Sequence, residues 1–163
     1  MLPQRINLIA YSTLAVIICY IDRVNISVAI IPMQEQFGWS DSQVGFIFSS
    51  FYLGYMLTMA LGGYLSDKFG GKRVLGWGVV LWSIFTILTP LAAHNGFFAL
   101  FFIRILMGIG EGVTFPAWHS LYARWIPFNE RTRAIAFTNS GVSIGTIIGY
   151  IGTQMIILAM GWE

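Results

Sequence analysis

Residues 41–73 read DSQVGFIFSSFYLGYMLTMALGGYLSDKFGGKR, and this stretch decides what kind of chain it belongs to. From Ser42 to Ser66 there is no charged residue, a run longer than the ~20 apolar residues a helix needs to cross bilayer hydrocarbon. A lone strand in lipid would leave its amides and carbonyls unpaired, so the run is read as a helix. Ser40 and Gln43 form a capping-box pattern that starts it at about Asp41. Glycines and charges follow through Arg73, and a second apolar run opens at Val74. The stretch is therefore one membrane span, a short charged connection, and the beginning of another span.

Working outward, the same pattern recurs as five apolar blocks, with spans expected at about 8–33, 41–65, 74–93, 97–119 and 134–160. Pro90 marks the exit of the third, and the fourth is expected to end between Trp118 and Pro127, since proline lacks an amide hydrogen. Hydrophobic residues make up 56% and charged residues 10%, against about 25% charge in soluble domains. That excludes a water-soluble monomer and defines an all-α, polytopic membrane protein. No small-residue cleavage site follows the first block, which is read as a retained helix. A net charge of +2 with no basic run excludes a nucleic-acid binder. Cys19 is the single cysteine, so intramolecular disulfides and multi-thiolate metal sites are excluded; it is read as a small buried side chain, and no cofactor is expected. Trp39, Trp125 and Trp162 fall near span ends, where indoles anchor at the lipid interface.

Short loops rich in Lys and Arg stay on the cytoplasmic side of a membrane. Arg5, Lys68, Lys72, Arg73, Arg124, Arg131 and Arg133 all fall on one side if the amino terminus is cytoplasmic, while the opposite segments hold Glu35, Asp41 and Glu163. The expected location is thus a multi-pass protein of a plasma or inner membrane, amino terminus inside.

Asp22, Arg23, Arg104 and Glu111 lie within apolar blocks. At about 2.5–3.5 kcal/mol each on the insertion scale, they must pair, face water, or both. A rise of ~1.5 Å per residue sets Arg23 about 22 Å from the inner end of its span and Arg104 about 20 Å from the same side. Two planar, permanently charged forks at one depth are suited to a carboxylate or phosphate held between them. Arg104 and Glu111, seven apart, share a helix face, so Glu111 and Asp22 flank the expected anion site as titratable carboxyls. The alternative is that the four charges pair with one another and only tie helices together. Asn25, Tyr52 and Tyr55 offer hydrogen bonds to a polar substrate.

The connection Gly63-Tyr64-Leu65-Ser66-Asp67-Lys68-Phe69-Gly70-Gly71-Lys72-Arg73 resembles the signature cytoplasmic loop of the major facilitator superfamily. Its glycines suit a tight reversal, and Asp67 among Lys68, Lys72 and Arg73 suits a breakable ionic latch, so Gly63, Asp67, Lys68, Gly70, Lys72 and Arg73 are read as a gating loop. Asp22-Arg23-Val24-Asn25, the segment from Arg104 through Gly108, Gly110, Glu111 and Gly112 to Phe115-Pro116-Ala117, and Trp125-Ile126-Pro127 with Glu130-Arg131 are similar to the anion:cation symporter family within it. That family holds sugar-acid and other organic-anion symporters, sialic-acid and vesicular glutamate carriers, and plastid phosphate or anion carriers. The resemblance covers almost the whole chain. It implies that Arg23 and Arg104 contact the substrate anion, that Asp22 and Glu111 take part in proton coupling, and that transport is by alternating access. The expected partners are a small organic anion, a proton and the lipid bilayer, with no nucleic acid.

The chain departs from the family in places. Some animal members carry a histidine in span two just before a small-small-aromatic sequence; here Phe48 precedes Ser49-Ser50-Phe51, which argues against a vesicular glutamate-type mechanism. The proline-glycine signature of many antiporters is missing from span five, which favours symport. The family has twelve spans, so five are expected to be most of an amino-terminal six-helix half, with 1–163 a partial transmembrane domain and the carboxy-terminal half of the transporter as a missing partner. Inorganic phosphate carriage, or a truncated fragment that transports nothing, are the alternatives. An intramembrane enzyme has little to build on: Gly141-Val142-Ser143-Ile144-Gly145 matches GxSxG but lies inside a span, without the strand and turn a nucleophile elbow requires. Gly141, Gly145 and Gly149 instead give a small-residue stripe for helix packing. Gly108, Gly110, Gly112 and Pro116 are expected to soften span four beside Glu111. His94 and His119 are read as structural.

Overall fold

The computed structural model describes residues 2–162, with side chains from Gln4 onward; Glu163, counted above among the outer acidic residues, lies outside them. The helices are α1 (Leu2–Phe37), α2 (Asp41–Phe69), α3 (Gly71–His94), α4 (Phe97–Gly112), α5 (Thr114–Trp125) and α6 (Phe128–Met160). Among the described residues five helical stretches are long and apolar enough to cross a membrane, Phe97–Trp125 counting as one interrupted span. The capping box forms as expected: Ser40 Oγ accepts from the Gln43 amide at 3.3 Å, and Gln43 Oε1 accepts from the Ser40 amide at 2.9 Å.

The helices α1, α2, α3 and α6 each outrun the apolar run that predicted them. Polar ends carry α1 out to 36 residues, or about 54 Å, well beyond a hydrocarbon core of about 30 Å. Span four is continuous only in sequence. It breaks at Val113, where Pro116 has no amide hydrogen to offer the Gly112 carbonyl; the regular ladder resumes with the Ala117 amide on Val113 O at 2.9 Å.

The contacts divide the chain into two compact units, one of residues 2–29 with 121–162 and the other of residues 30–120. In the second, α4 is the centre, packed against α2 and α3. Glycines permit this. A Cβ at Gly54 would strike the Ile105 carbonyl, one at Gly108 the Phe51 carbonyl, and one at Gly110 the Trp82 backbone, so the helix axes sit closer than ordinary side chains allow. Sequence reading took the α4 glycines as softening; they are packing sites, and the softening is confined to Val113. Trp39 also departs from its expected place as an interfacial anchor: it is 8% exposed and stacks on Phe37 at 5.0 Å, whereas Trp125 stays half-exposed. Phe37 in turn meets the edge of His94, and Gln34 donates to Asp41 at 2.8 Å.

In the first unit, α6 lies along α1 through the stripe read from the sequence. Gly141 faces Thr13 and Ile17, Gly145 faces Ile17 and Tyr20, and Gly149 faces Ile21 and Val24. The GxSxG string is thus a piece of helix interface. Thr138 extends the same face: its hydroxyl is hydrogen-bonded to that of Tyr122 at 2.5 Å and lies 3.5 Å from that of Thr13, which donates to the Ile9 carbonyl at 2.8 Å.

Candidate functional site

Arg104 sits on α4 with only 3% of its surface exposed. Its guanidinium lies over the face of Phe51 on α2, 4.9 Å from the ring centroid, and Nη1 donates to Met107 Sδ at 3.0 Å. The contact between α2 and α4 produces this arrangement. Arg104 and Gly108 are one turn apart on one face of α4, and where Gly108 brings the two backbones together, Phe51 is carried under the guanidinium. Phe51 is itself held by rings on either side, stacked with Tyr55 at 5.9 Å and edge-on to Tyr52 at 5.3 Å. An aromatic face attracts the cation through its quadrupole, so Phe51 helps to orient the guanidinium.

Glu111 is fully buried two turns along α4, just before the break. Thr114, at the start of α5, is 1% exposed, and its hydroxyl has no hydrogen-bond partner among the described residues. The interruption therefore places a buried carboxyl and a buried hydroxyl within four residues of each other.

Arg23 lies in the other unit, half-buried on α1. Its guanidinium folds back along its own helix, 4.8 Å from the Tyr20 ring and with Nη2 3.9 Å from Cys19 Sγ. Cys19 is fully buried, as read from the sequence, and serves as a soft acceptor as well. Asp22 and Asn25 are half-buried beside it. Tyr55 is half-buried, but Tyr52 is 54% exposed and reaches the site only through its contact with Phe51. Phe51 and Met107 were not singled out from sequence: the ring has no signal until the facing helix is known, and the thioether, one turn from Arg104 on the same helix, looks like any other apolar residue. Thr114 had one available signal, a hydroxyl adjoining a glycine- and proline-interrupted span.

The signature connection is almost entirely helix. Gly63 through Phe69 complete α2 and Gly71 begins α3, so the reversal rests on Gly70 alone, at φ +88°. Asp67 accepts a hydrogen bond from Ser120 on α5 at 3.1 Å. The Lys68 ammonium lies 5.6 Å from the Tyr64 ring and 5.4 Å from the Phe69 ring, and Lys72 and Arg73 are exposed. The second quoted motif is also built from helix ends. Arg131 donates to the carbonyls of Ala123 at 3.0 Å and Ile126 at 3.4 Å, closing the end of α5, and Glu130 is 3.6 Å from Arg5 at the start of α1. Among the described residues no group of three or more His, Cys, Asp or Glu is placed to hold a metal ion.

Long apolar helices that carry buried charges define an integral, multi-pass membrane protein. Residues 12–163 match the family model of the Major Facilitator Superfamily, and the chain belongs to that family, one of transporters rather than enzymes. It is 47% identical to the probable anion transporter 4, chloroplastic, of Oryza sativa subsp. japonica, over 98% of this chain and 27% of that one. It is 46% identical to the ascorbate transporter, chloroplastic, of Arabidopsis thaliana, over 98% and 30%. It is 44% identical to the sodium-dependent phosphate transport protein 1, chloroplastic, of the same plant, over 98% and 31%. The chain therefore spans about three-tenths of the length of these relatives. Among solved structures, an inward-facing, occupied bacterial homolog of the human lysosomal transporter Spinster superposes with a TM-score of 0.82 at 26% identity, over 99% of this chain and 39% of that one. The expected all-α architecture of most of one six-helix half is thus the architecture found. The expected plasma or inner membrane has no support from these relatives, which are chloroplastic by name.

Proposed function

We propose that this chain is the anion-binding part of a secondary active transporter that carries an organic anion, a sugar acid or another carboxylate, by proton-coupled symport and alternating access. The observation that carries the proposal is the Arg104 guanidinium, 3% exposed and held over the Phe51 ring in the centre of a helix bundle. In this reading Arg23 and Arg104 supply the positive charge, Asn25, Tyr52 and Tyr55 hydrogen-bond the cargo, and Asp22 and Glu111 carry the proton. The amino terminus lies on the side where Lys68, Lys72 and Arg73 gather, and the Gly63–Arg73 segment gates that side. A longer transporter supplies the opposite wall of the path. The names of the anion and ascorbate transporters among the relatives support a carboxylate or carboxylate-like cargo.

The sodium-dependent phosphate relative favours a second reading, in which phosphate is the cargo and sodium the coupling ion. Uptake by the full-length protein in proteoliposomes separates the two. The proposal expects carboxylate uptake driven by an imposed proton gradient and indifferent to sodium. Arg104→Ala and Arg23→Ala, still inserted and folded, are each expected to lose about 2–5 kcal/mol of anion binding, at least ~30-fold in affinity. Glu111→Gln is expected to leave binding in place while abolishing acceleration by the proton gradient. Wild-type uptake in the arginine variants would remove those residues from the site, and uptake driven by sodium alone would replace the first reading with the second.

A further inference from the structure

A cleft of about 350 Å³ opens between α2 and α3, on the side of α4 away from the Phe51–Arg104 contact, and none of the proposed transport residues of α1, α2 or α4 lines it. Its size falls within the ~300–1,000 Å³ of small-molecule sites. Its walls are Leu65 and Phe69 of α2 and Trp77 and Leu81 of α3, with Val113 in its floor and Arg73 at the end nearest the Gly70 turn. The polar groups within it are already satisfied or few: the Thr58 hydroxyl donates to the Gly54 carbonyl at 2.8 Å. Phe69 and Trp77 are 51% and 70% exposed, so the cleft is open at the side.

The polarity of the cleft is ordered along its length. Arg73, with exposed Lys72 beside it, stands at the turn, and Leu81 lies eight residues on, about 12 Å deeper at the helical rise. A charge at the membrane surface followed by about 12 Å of apolar groove matches a lipid with an anionic headgroup, and matches neither a soluble anion, which has no use for the groove, nor a zwitterionic lipid, which gains little from Arg73. Trp77 stands one turn below Arg73, at the depth where indoles border the hydrocarbon.

We propose that this cleft is a binding site for one anionic diacyl phospholipid, its phosphate on Arg73 and one acyl chain lying past Trp77 and Leu81. The site shares Arg73 with the proposed gating segment but not with the anion site. Neither Arg104 nor Glu111 takes part, and it stands whatever the cargo is.

The test uses the full-length protein, delipidated and returned to nanodiscs with phosphatidylglycerol bearing a photoactivatable group on one acyl chain. Crosslinks are expected on Phe69, Trp77 or Leu81. Unlabelled phosphatidylglycerol is expected to compete roughly fivefold better than phosphatidylcholine, the worth of about one surface basic residue. Arg73→Gln should make the two lipids equal competitors, Arg73→Lys should keep most of the preference, and tail-free glycerophosphoglycerol should not compete. Equal competition by the two lipids in the wild-type protein would overturn the proposal. So would crosslinks spread over other helices, displacement by the tail-free headgroup, or an unlabelled cleft because another helix of the full-length protein fills it. The wild-type crosslinks and competition decide the matter even if Arg73→Gln does not fold.

Discussion

A single methyl group added at Gly108 would collide with the Phe51 carbonyl, while the same methyl at Gly152 on α6 would meet nothing within 4 Å. Both are glycines within membrane spans, and sequence patterning weights them alike. Gly108→Ala is expected to destabilise the protein by about 1–3 kcal/mol through overpacking. Gly152→Ala should be neutral or add a few tenths of a kcal/mol, since alanine is the better helix former. Unfolding midpoints of the two variants of the purified full-length protein in detergent check this pair, and equal midpoints would contradict the packing of α2 on α4. The same contrast explains how much of the candidate site was readable. Arg104, Glu111, Arg23 and Asp22 were visible because charge in an apolar run is costly wherever the run packs. Phe51 was invisible because its importance comes from the helix opposite, and Met107 because one thioether in an apolar run looks like any other packing residue.

Whole helices show the same division. Starts were legible where a side chain caps the backbone locally, as Ser40 and Gln43 do for α2. Ends were less so. The apolar runs stop before the helices do, since polar residues continue a helix through the interface until a glycine reverses the chain, Gly38 at φ +65° after α1 and Gly70 at φ +88° after α2. Gly63 and Gly70 had equal standing in the quoted motif, yet only Gly70 has left-handed backbone. Gly70→Ala is therefore expected to lower stability by about 1–2 kcal/mol. It should also loosen the α2–α3 connection, detected as faster amide exchange at Lys72 and Arg73 without change at Gly63. Wild-type stability and exchange would mean that the turn does not need its positive φ. The break of span four was foreshadowed by Pro116, but its place at Val113 depended on which carbonyl went without a donor.

Among the described residues five helices are long enough and apolar enough to cross a membrane, and if each crosses once the Gly70 turn is expected on the side of the amino terminus and the Asn95 turn on the other. With Lys72→Cys and Asn95→Cys each placed in an otherwise cysteine-free full-length protein, an impermeant thiol reagent should reach the first only from the side of the amino terminus and the second only from the opposite side. Labelling of both from one side would mean that α3 does not cross. The number, helicity and approximate limits of the spans were readable because hydrocarbon offers no partner for a backbone amide: an apolar run of that length has to be helical whatever surrounds it. The buried charges were readable for the same reason. What packs on what was not. Trp39 turning inward, the α4 glycines serving as contact points, and Phe51 beneath Arg104 each depend on residues distant in sequence meeting at one place. Apolar side chains look alike to lipid and to another helix, so close packing of particular surfaces had to make those choices.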